Sequence, residues 1–196
     1  MFKFYTYKLE ESSEMAGRCL DAELMHKWLC RLTGASRQES GLLYMLDTED
    51  MLLHVQSRVP LQAPELQEIG TLDLDSFFSR LHDGDRVSFL LTTLPHKKKN
   101  GRASYIVGFP EEKAWVKKRL AEHGFDAGSV VPVEKKEVYF CHSKKEKGGQ
   151  GRVTLRSYII SGQVSDREAF AEVWRTGLGG HKAYGSGLFI KLGDTV

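Results

Sequence analysis

Segments with the patterns of strands and helices follow one another in the order βαββαβ, and this order occurs twice along the 196-residue chain. Apolar and aromatic runs predict the strands, and apolar residues three or four positions apart predict the helices. The elements of the first half are strands at 2–9, 41–46, 51–57 and 86–93 and helices at 21–32 and 74–81, with a polar loop after the first strand. Those of the second half are strands at 104–109, 137–142, 152–163 and 187–192 and helices at 110–123 and after Asp166.

The repeated order predicts an α+β fold built from two tandem ferredoxin-like (RRM-like) βαββαβ domains. We expect a first domain at residues 1–94, a basic linker at 95–103 and a second domain at 104–196. Because ferredoxin-like domains carry many unrelated activities, this fold alone assigns no function.

Charge is distributed unequally between the two halves. Residues 1–94 contain 9 Lys and Arg against 15 Asp and Glu, a balance of −6, whereas residues 95–196 contain 19 against 11, a balance of +8. Such asymmetry indicates a surface on the second half that binds a polyanion, although solvated surface lysines are the alternative explanation.

Several classes of protein are disfavoured by what the sequence lacks. No apolar run approaches the roughly 20 residues that span a bilayer, and the first residues lack the pattern of a signal peptide, so we expect a cytoplasmic protein without membrane contact. The 3 cysteines form no CxxC pair, and the histidines are scattered. We therefore expect no metal site and no small-molecule cofactor.

A glycine-rich segment precedes the last predicted strand. The string GLGGHKAYGSG at residues 177–187 has glycine at 5 of its 11 positions, which lets the backbone approach a ligand closely. We expect Gly179, His181 and Lys182 to contact a phosphodiester backbone. It does not match a P-loop, and it follows a helix, which argues against a dinucleotide-binding motif. A helix end followed by a tight turn is the structural alternative.

This string resembles the GxGxxxxxGxG loop of the CRISPR repeat-processing endoribonucleases. The sequence GLGGHKAYGSGLF is similar to that of the CasE-type subunits of type I-E Cascade. The resemblance extends with varying strength over essentially the whole chain. It implies a tandem ferredoxin-like fold, a CRISPR repeat stem-loop as ligand, and other Cascade subunits as partners.

The same resemblance implies a catalytic histidine on the first helix, and His26 occupies that position. In the family a tyrosine lies one turn before the histidine, but this chain has Glu23 there. Three interpretations follow: Tyr5 or Tyr7 on the neighbouring strand replaces the missing phenol, Glu23 orients His26 or holds it protonated, or cleavage is slow or lost.

The resemblance further implies metal-independent cleavage, in which the RNA 2′-hydroxyl attacks the adjacent phosphate and the 5′-oxygen leaves. His26 would supply proton transfer. Lysine-rich turns can neutralise the phosphates of an RNA duplex without reading its bases. The basic residues expected to bind RNA lie in the linker and around the hairpin of the second domain: Lys97, Lys98, Lys99, Arg102, Lys144, Lys145, Lys147, Arg152 and Arg156.

Two other functions remain open at this point. A catalytically weak or inactive subunit would keep the stem-loop surface and only retain the RNA. A protein-interaction adaptor built from ferredoxin-like domains would bind RNA weakly and without preference for a hairpin.

Overall fold

The computed structural model describes residues 1–99, 102–142 and 149–193. Its first sheet is antiparallel, with the strand order β2-β3-β1-β4. The strands are β1 Lys3–Leu9, β2 Leu43–Asp47, β3 Leu52–Ser57 and β4 Leu66–Asp73. The helices of this part of the chain are α1 Ser13–Leu20, α2 Ala22–Thr33, α3 Arg37–Ser40 and α4 Leu74–Ser79.

Helix α2 has clear signals at both ends. The Asp21 side chain accepts hydrogen bonds from the backbone N–H groups of Glu23 and Leu24, which satisfies two of the amides that a helix start leaves unpaired. Gly34 ends the helix in the left-handed conformation. The apolar stripe of the helix packs on the first sheet, so the polar side chains of α2 face outward.

The second sheet has the order β10-β5-β9-β8. Its strands are β5 Arg86–Thr93, β8 Phe125–His142, β9 Gly149–Val164 and β10 Phe189–Lys191. The remaining elements are the hairpin of β6 His96–Lys99 and β7 Arg102–Tyr105, the helices α5 Phe109–Ala121 and α6 Arg167–Thr176, and a 3-10 turn at Lys182–Tyr184. An aromatic core lies between this sheet and its helices, where Phe89, Phe170 and Trp174 are fully buried.

The predicted fold class is confirmed, because both sheets have the strand order of a ferredoxin-like unit. In each sheet, the first strand lies between the third and the last strand of its unit. The first unit departs from the pattern at one point, since α4 follows its last strand and does not precede it.

Four sequence-based assignments of elements differ from the structure. The strand predicted at 104–109 is the short β7, which pairs with β6 in a two-stranded sheet of its own. The strand at 86–93 is hydrogen-bonded to β9 and β10 and so belongs to the second sheet. The last strand of the first sheet is instead β4, and the predicted polar loop after β1 contains α1. The change of sheet therefore falls between β4 and β5, ahead of residue 94. Sequence order misassigned these strands because long-range pairing, and not neighbourhood along the chain, decides which sheet a strand joins.

The two units contact each other along a broad surface. Gln56 on β3 donates from Nε2 to the carbonyl oxygen of Arg175 at 2.8 Å, and Lys136 on β8 donates to the carbonyl oxygen of Leu46 at 2.7 Å. The backbone N–H of Cys141 on β8 donates to the Asp21 cap of α2 at 3.4 Å. The long strand β8 thus extends to the start of α2.

None of the helices in the described part of the chain combines the length and the apolar character of a membrane-spanning segment.

Candidate active site

The glycine-rich loop connects α6 to β10 and lies where the two units meet. Four of its glycines have positive φ, as does His181 with a φ of 58°. At Gly179, with φ of 89°, a Cβ atom would lie 2.8 Å from Thr93 Oγ1. Since Thr93 Oγ1 also donates to the carbonyl oxygen of Leu178 at 3.1 Å, only glycine fits against the end of β5 at this position.

A buried tyrosine joins the glycine loop to α2. The hydroxyl group of Tyr44 on β2 lies 2.9 Å from the carbonyl oxygen of Ala183 in the loop and 3.2 Å from that of Ala22 in α2. Burial raises the pKa of Tyr44 far above its usual value, so its hydroxyl stays protonated. The loop is therefore held beside the helix that carries His26.

His26 lies on the flank of α2 and is half-buried. Its ring nitrogens are 3.7 and 3.8 Å from Cys30 Sγ, one turn later. Burial lowers the pKa of His26, the charges of Arg37 and Lys27 lower it further, and Glu23 opposes them. Because the pKa falls below its usual value of about 6.5, the neutral ring predominates at pH 7 and can accept a proton.

Two cationic side chains of the first unit, Arg37 and Lys27, act on His26, and the glycine loop adds a third cation beside α2. Burial is the main cause that lowers the pKa of His26 and of Lys182, and the charge of Arg37, on the short helix α3, lowers both further. The charge of Arg37 therefore lies within electrostatic reach of both side chains. Lys182 comes from the glycine loop, and Lys27 follows His26 directly on α2. This arrangement can hold a phosphate and stabilise additional negative charge on it.

Glu23 forms an ion pair within α2. Its Oε1 atom lies 2.8 Å from Lys27 Nζ, and the Glu23 side chain is only 15% exposed. The neighbouring lysine offsets the repulsion that a lone carboxylate would exert on a phosphate.

Tyr184 supplies a phenol near the same helix. Burial raises its pKa, and the charges of Glu23 and Asp21 raise it further. The ring stacks on Phe140 with centroids 4.2 Å apart. Tyr184 therefore remains a hydrogen-bond donor at neutral pH, beside the carboxylate that occupies the tyrosine position of α2.

The two tyrosines suggested as replacements for the missing phenol are poorly placed for that role. Tyr5 is 5% exposed and Tyr7 is 1% exposed, and both belong to the core between the first sheet and α2. The Tyr7 hydroxyl accepts a hydrogen bond from the backbone N–H of Leu61, and burial raises its pKa to about 12. Their side chains point inward because β1 alternates and its apolar face covers the core.

The predicted basic residues fall into distinct groups. Lys97 is exposed on β6. Lys98, Lys99 and Arg102 belong to the β6–β7 hairpin, of which the structure describes only the backbone at these positions. Lys144, Lys145 and Lys147 lie outside the described residues.

Two arginines of the second unit differ in their surroundings. Arg152 is 60% exposed, with its Nη1 atom 3.3 Å from Glu137 Oε2. Arg156 instead reaches inward, and its Nε atom donates to Oε1 of the buried Glu112 at 3.1 Å. Tyr158 donates to the other oxygen of Glu112 at 2.8 Å. This environment does not support the predicted role of Arg156 on the RNA surface.

Sequence reasoning missed Arg37 and Tyr184. Tyr184 lies inside the glycine-rich string, where its position as an aromatic residue among glycines is a signal that the sequence offers. Arg37 had no local signal, because only the packing of α3 brings it near α2.

Among the described residues, no three His, Cys, Asp or Glu side chains are grouped as ligands of a metal ion.

The chain is a tandem ferredoxin-like protein. Its candidate site, with a histidine, several cations and the glycine-rich loop, lies where the two ferredoxin-like units meet. The chain belongs to the family of CRISPR-associated proteins, whose model matches residues 7–190. No curated protein sequence matches the chain significantly.

Solved structures share the fold at low sequence identity. The CRISPR endoribonuclease Cse3 bound to a 19-nucleotide RNA superposes with a TM-score of 0.82 at 21% identity, covering 97% of this chain and 98% of that one. Cas6e of Escherichia coli K-12 gives 0.72 at 17% identity, with the same coverage of 97% and 98%. A chain of a CRISPR RNA-guided surveillance complex in a pre-nicking state gives 0.71 at 22% identity, covering 97% and 99%.

Proposed function

We propose that this protein is a metal-independent endoribonuclease that binds the stem-loop of a CRISPR repeat and cleaves the precursor transcript. The proposal depends on one observation above all: half-buried His26 lies on α2 within reach of the charge of Arg37, and Tyr44 holds the glycine loop that carries Lys182 against the same helix. Relatives of the same fold include an endoribonuclease with bound RNA and a surveillance-complex subunit. These relatives support a role in which the protein stays on the mature guide RNA as a Cascade subunit.

The chemistry follows from the groups at the site. Neutral His26 takes the proton of the RNA 2′-hydroxyl, and the resulting oxygen attacks the adjacent phosphorus. The bond from phosphorus to the 5′-oxygen then breaks and the departing oxygen takes up a proton from water, which gives a 2′,3′-cyclic phosphate and a 5′-hydroxyl. Arg37 and Lys182 stabilise the charge that accumulates on the phosphate oxygens.

The proposal is tested by incubating the purified protein with its host's repeat RNA in EDTA and analysing the ends of the products. We expect a single cut at the base of the stem, with a 2′,3′-cyclic phosphate on one fragment and a 5′-hydroxyl on the other. A cut that requires added divalent metal, or one that leaves a 5′-phosphate, would contradict this mechanism.

A second candidate function is retention of the RNA without turnover, and Glu23 is the observation that favours it. An ionised carboxylate cannot donate a hydrogen bond, so Glu23 does not supply the donor that a tyrosine at this position would provide. In the same assay, tight hairpin binding without product would identify such a retention subunit. Weak binding without preference for the hairpin would instead favour the adaptor.

We further propose that Tyr184 takes the part of the missing tyrosine by donating a hydrogen bond to the phosphate. Replacing Tyr184 by phenylalanine keeps the stack on Phe140 and removes only the hydroxyl. We expect cleavage to slow by about 10- to 150-fold, since a charge-assisted hydrogen bond contributes roughly 1.5–3 kcal/mol. Tyr139→Phe is the matched control, because that hydroxyl donates to the exposed Glu137. Equal rates for wild type and Tyr184→Phe would remove Tyr184 from the mechanism.

A further inference from the structure

A cavity lies between the glycine loop and helix α5. Its volume is about 550 Å³, within the range of about 300–1,000 Å³ that small-molecule sites occupy. We call it the basic cavity. Its wall combines backbone of the glycine loop with basic and aromatic side chains, namely His96, Trp115, Arg119, His123 and Lys182.

The charges around the basic cavity favour an anion. None of the residues that line it is acidic, although Arg119 pairs with Glu122 at its edge. Burial lowers the pKa of His123, and the charge of Arg119 lowers it further. Burial also lowers the pKa of Lys182, with Arg37 contributing. A bound phosphate would offset this mutual repulsion.

The aromatic side of the cavity fits a flat ring. Trp115 on α5 is partly exposed, and the ring of His96 lies 6.1 Å from it at an angle of 42°. A Cβ atom on Gly179 would lie 3.7 Å from the indole, and one on Gly180 would lie 3.6 Å from His96 Cε1. Glycine at both positions keeps the floor next to the two rings open, and a base can stack on the part of the indole that the core leaves uncovered.

Lys182 connects the basic cavity with the candidate active site. Lys182 lines the cavity and begins the 3-10 turn that contacts α2, and its charge acts on His123. A chain of phosphates that passes His26 therefore meets Lys182 next and can continue toward His123. Because a base that stacks on Trp115 has left its duplex, the nucleotide in this cavity must be unpaired.

We infer that the basic cavity binds one unpaired nucleotide of the RNA strand next to the scissile phosphate, with its base against Trp115 and its phosphate near Lys182 and His123. This inference rests on the proposed function. It adds a recognition site outside the stem, by which the protein would distinguish a repeat with a single-stranded flank from an isolated hairpin.

The test uses the full-length protein and repeat RNA with a 2′-deoxy nucleotide at the cut, which prevents the attack. A single abasic site is moved through the nucleotides on both sides of the cut, and the affinity of each RNA is measured for wild type and for Trp115→Leu. We expect one abasic position to weaken binding to the wild-type protein by about tenfold and to have almost no effect on Trp115→Leu, since stacking on an aromatic ring contributes about that much.

Two further variants make the test specific. Trp115→Phe keeps an aromatic face and should restore sensitivity to the same abasic position. Phe109→Leu, at the start of α5 and outside the cavity lining, should behave as wild type. Urea unfolding of each variant shows whether the helix remains folded.

Three results would overturn the inference. Abasic effects that are the same in wild type and Trp115→Leu would exclude base stacking on Trp115. A loss of affinity in Lys182→Ala without any abasic effect would make the cavity a phosphate site only. If the wild-type protein does not bind the unmodified hairpin, the proposed function itself is rejected. This binding is measured before any variant is compared.

Discussion

Replacing His26 by alanine is expected to lower the rate of repeat cleavage by about 100- to 10,000-fold and to leave RNA affinity nearly unchanged. In the proposed mechanism the half-buried His26 is the base, whereas Arg37, Lys182 and the glycine loop remain to bind phosphate. Cleavage with excess protein and equilibrium binding to an uncleavable RNA separate the two effects.

The matched control for His26→Ala is His82→Ala, since the His82 side chain is 79% exposed on the turn before β5. This control should cleave at the wild-type rate. Parallel losses of binding and cleavage in His26→Ala would show that His26 holds the RNA and takes no part in the chemistry.

The pH dependence of the rate provides a second readout of His26. Burial and the charge of Arg37 lower the pKa of His26 in the free protein, so the reactive neutral form increases as pH rises through a value below about 6.5 and predominates at pH 7. With protein below saturation, cleavage should rise with pH and level off before neutrality, because this regime reports groups of the free enzyme. A rate that falls as pH rises through the same range would mean that His26 acts in its protonated form.

Replacing Arg156 by leucine is expected to reduce the free energy of unfolding by about 3 kcal/mol, because it leaves the buried carboxylate of Glu112 without its cationic partner. Glu112 is 4% exposed, and Tyr158 would be its one remaining side-chain donor among the described contacts. Urea unfolding measures the loss. Once the fraction of folded protein is taken into account, hairpin affinity should match that of the wild type.

A double variant separates the structural role of Arg156 from a role in binding. Adding Glu112→Gln removes the uncompensated charge, so the double variant should regain much of the lost stability. Arg152→Leu is the control on the same strand and should change stability by less than about 1 kcal/mol, because its ion pair is exposed. An Arg156→Leu protein of normal stability that binds RNA weakly would return Arg156 to the RNA surface.

The sequence alone determined those parts of the protein that depend on local patterns. Helix α2 was predicted from its Asp21 cap, apolar stripe and Gly34 end, because these signals act within a few residues. For the same reason, the glycine-rich string indicates a loop whose backbone can approach a ligand closely, and its amino-acid sequence is enough to indicate the family. His26 was found only through that resemblance, since a lone histidine on a helix carries no catalytic pattern.

The tertiary structure decided everything that depends on pairing between distant segments. It moved the strand at 86–93 into the second sheet, buried Tyr5 and Tyr7 in the first core and turned Arg156 toward Glu112. It also brought Arg37 and Tyr184 to α2. Hydrogen bonds between strands, burial and the reach of charges act through space, so residues far apart in sequence become neighbours only when the chain has packed.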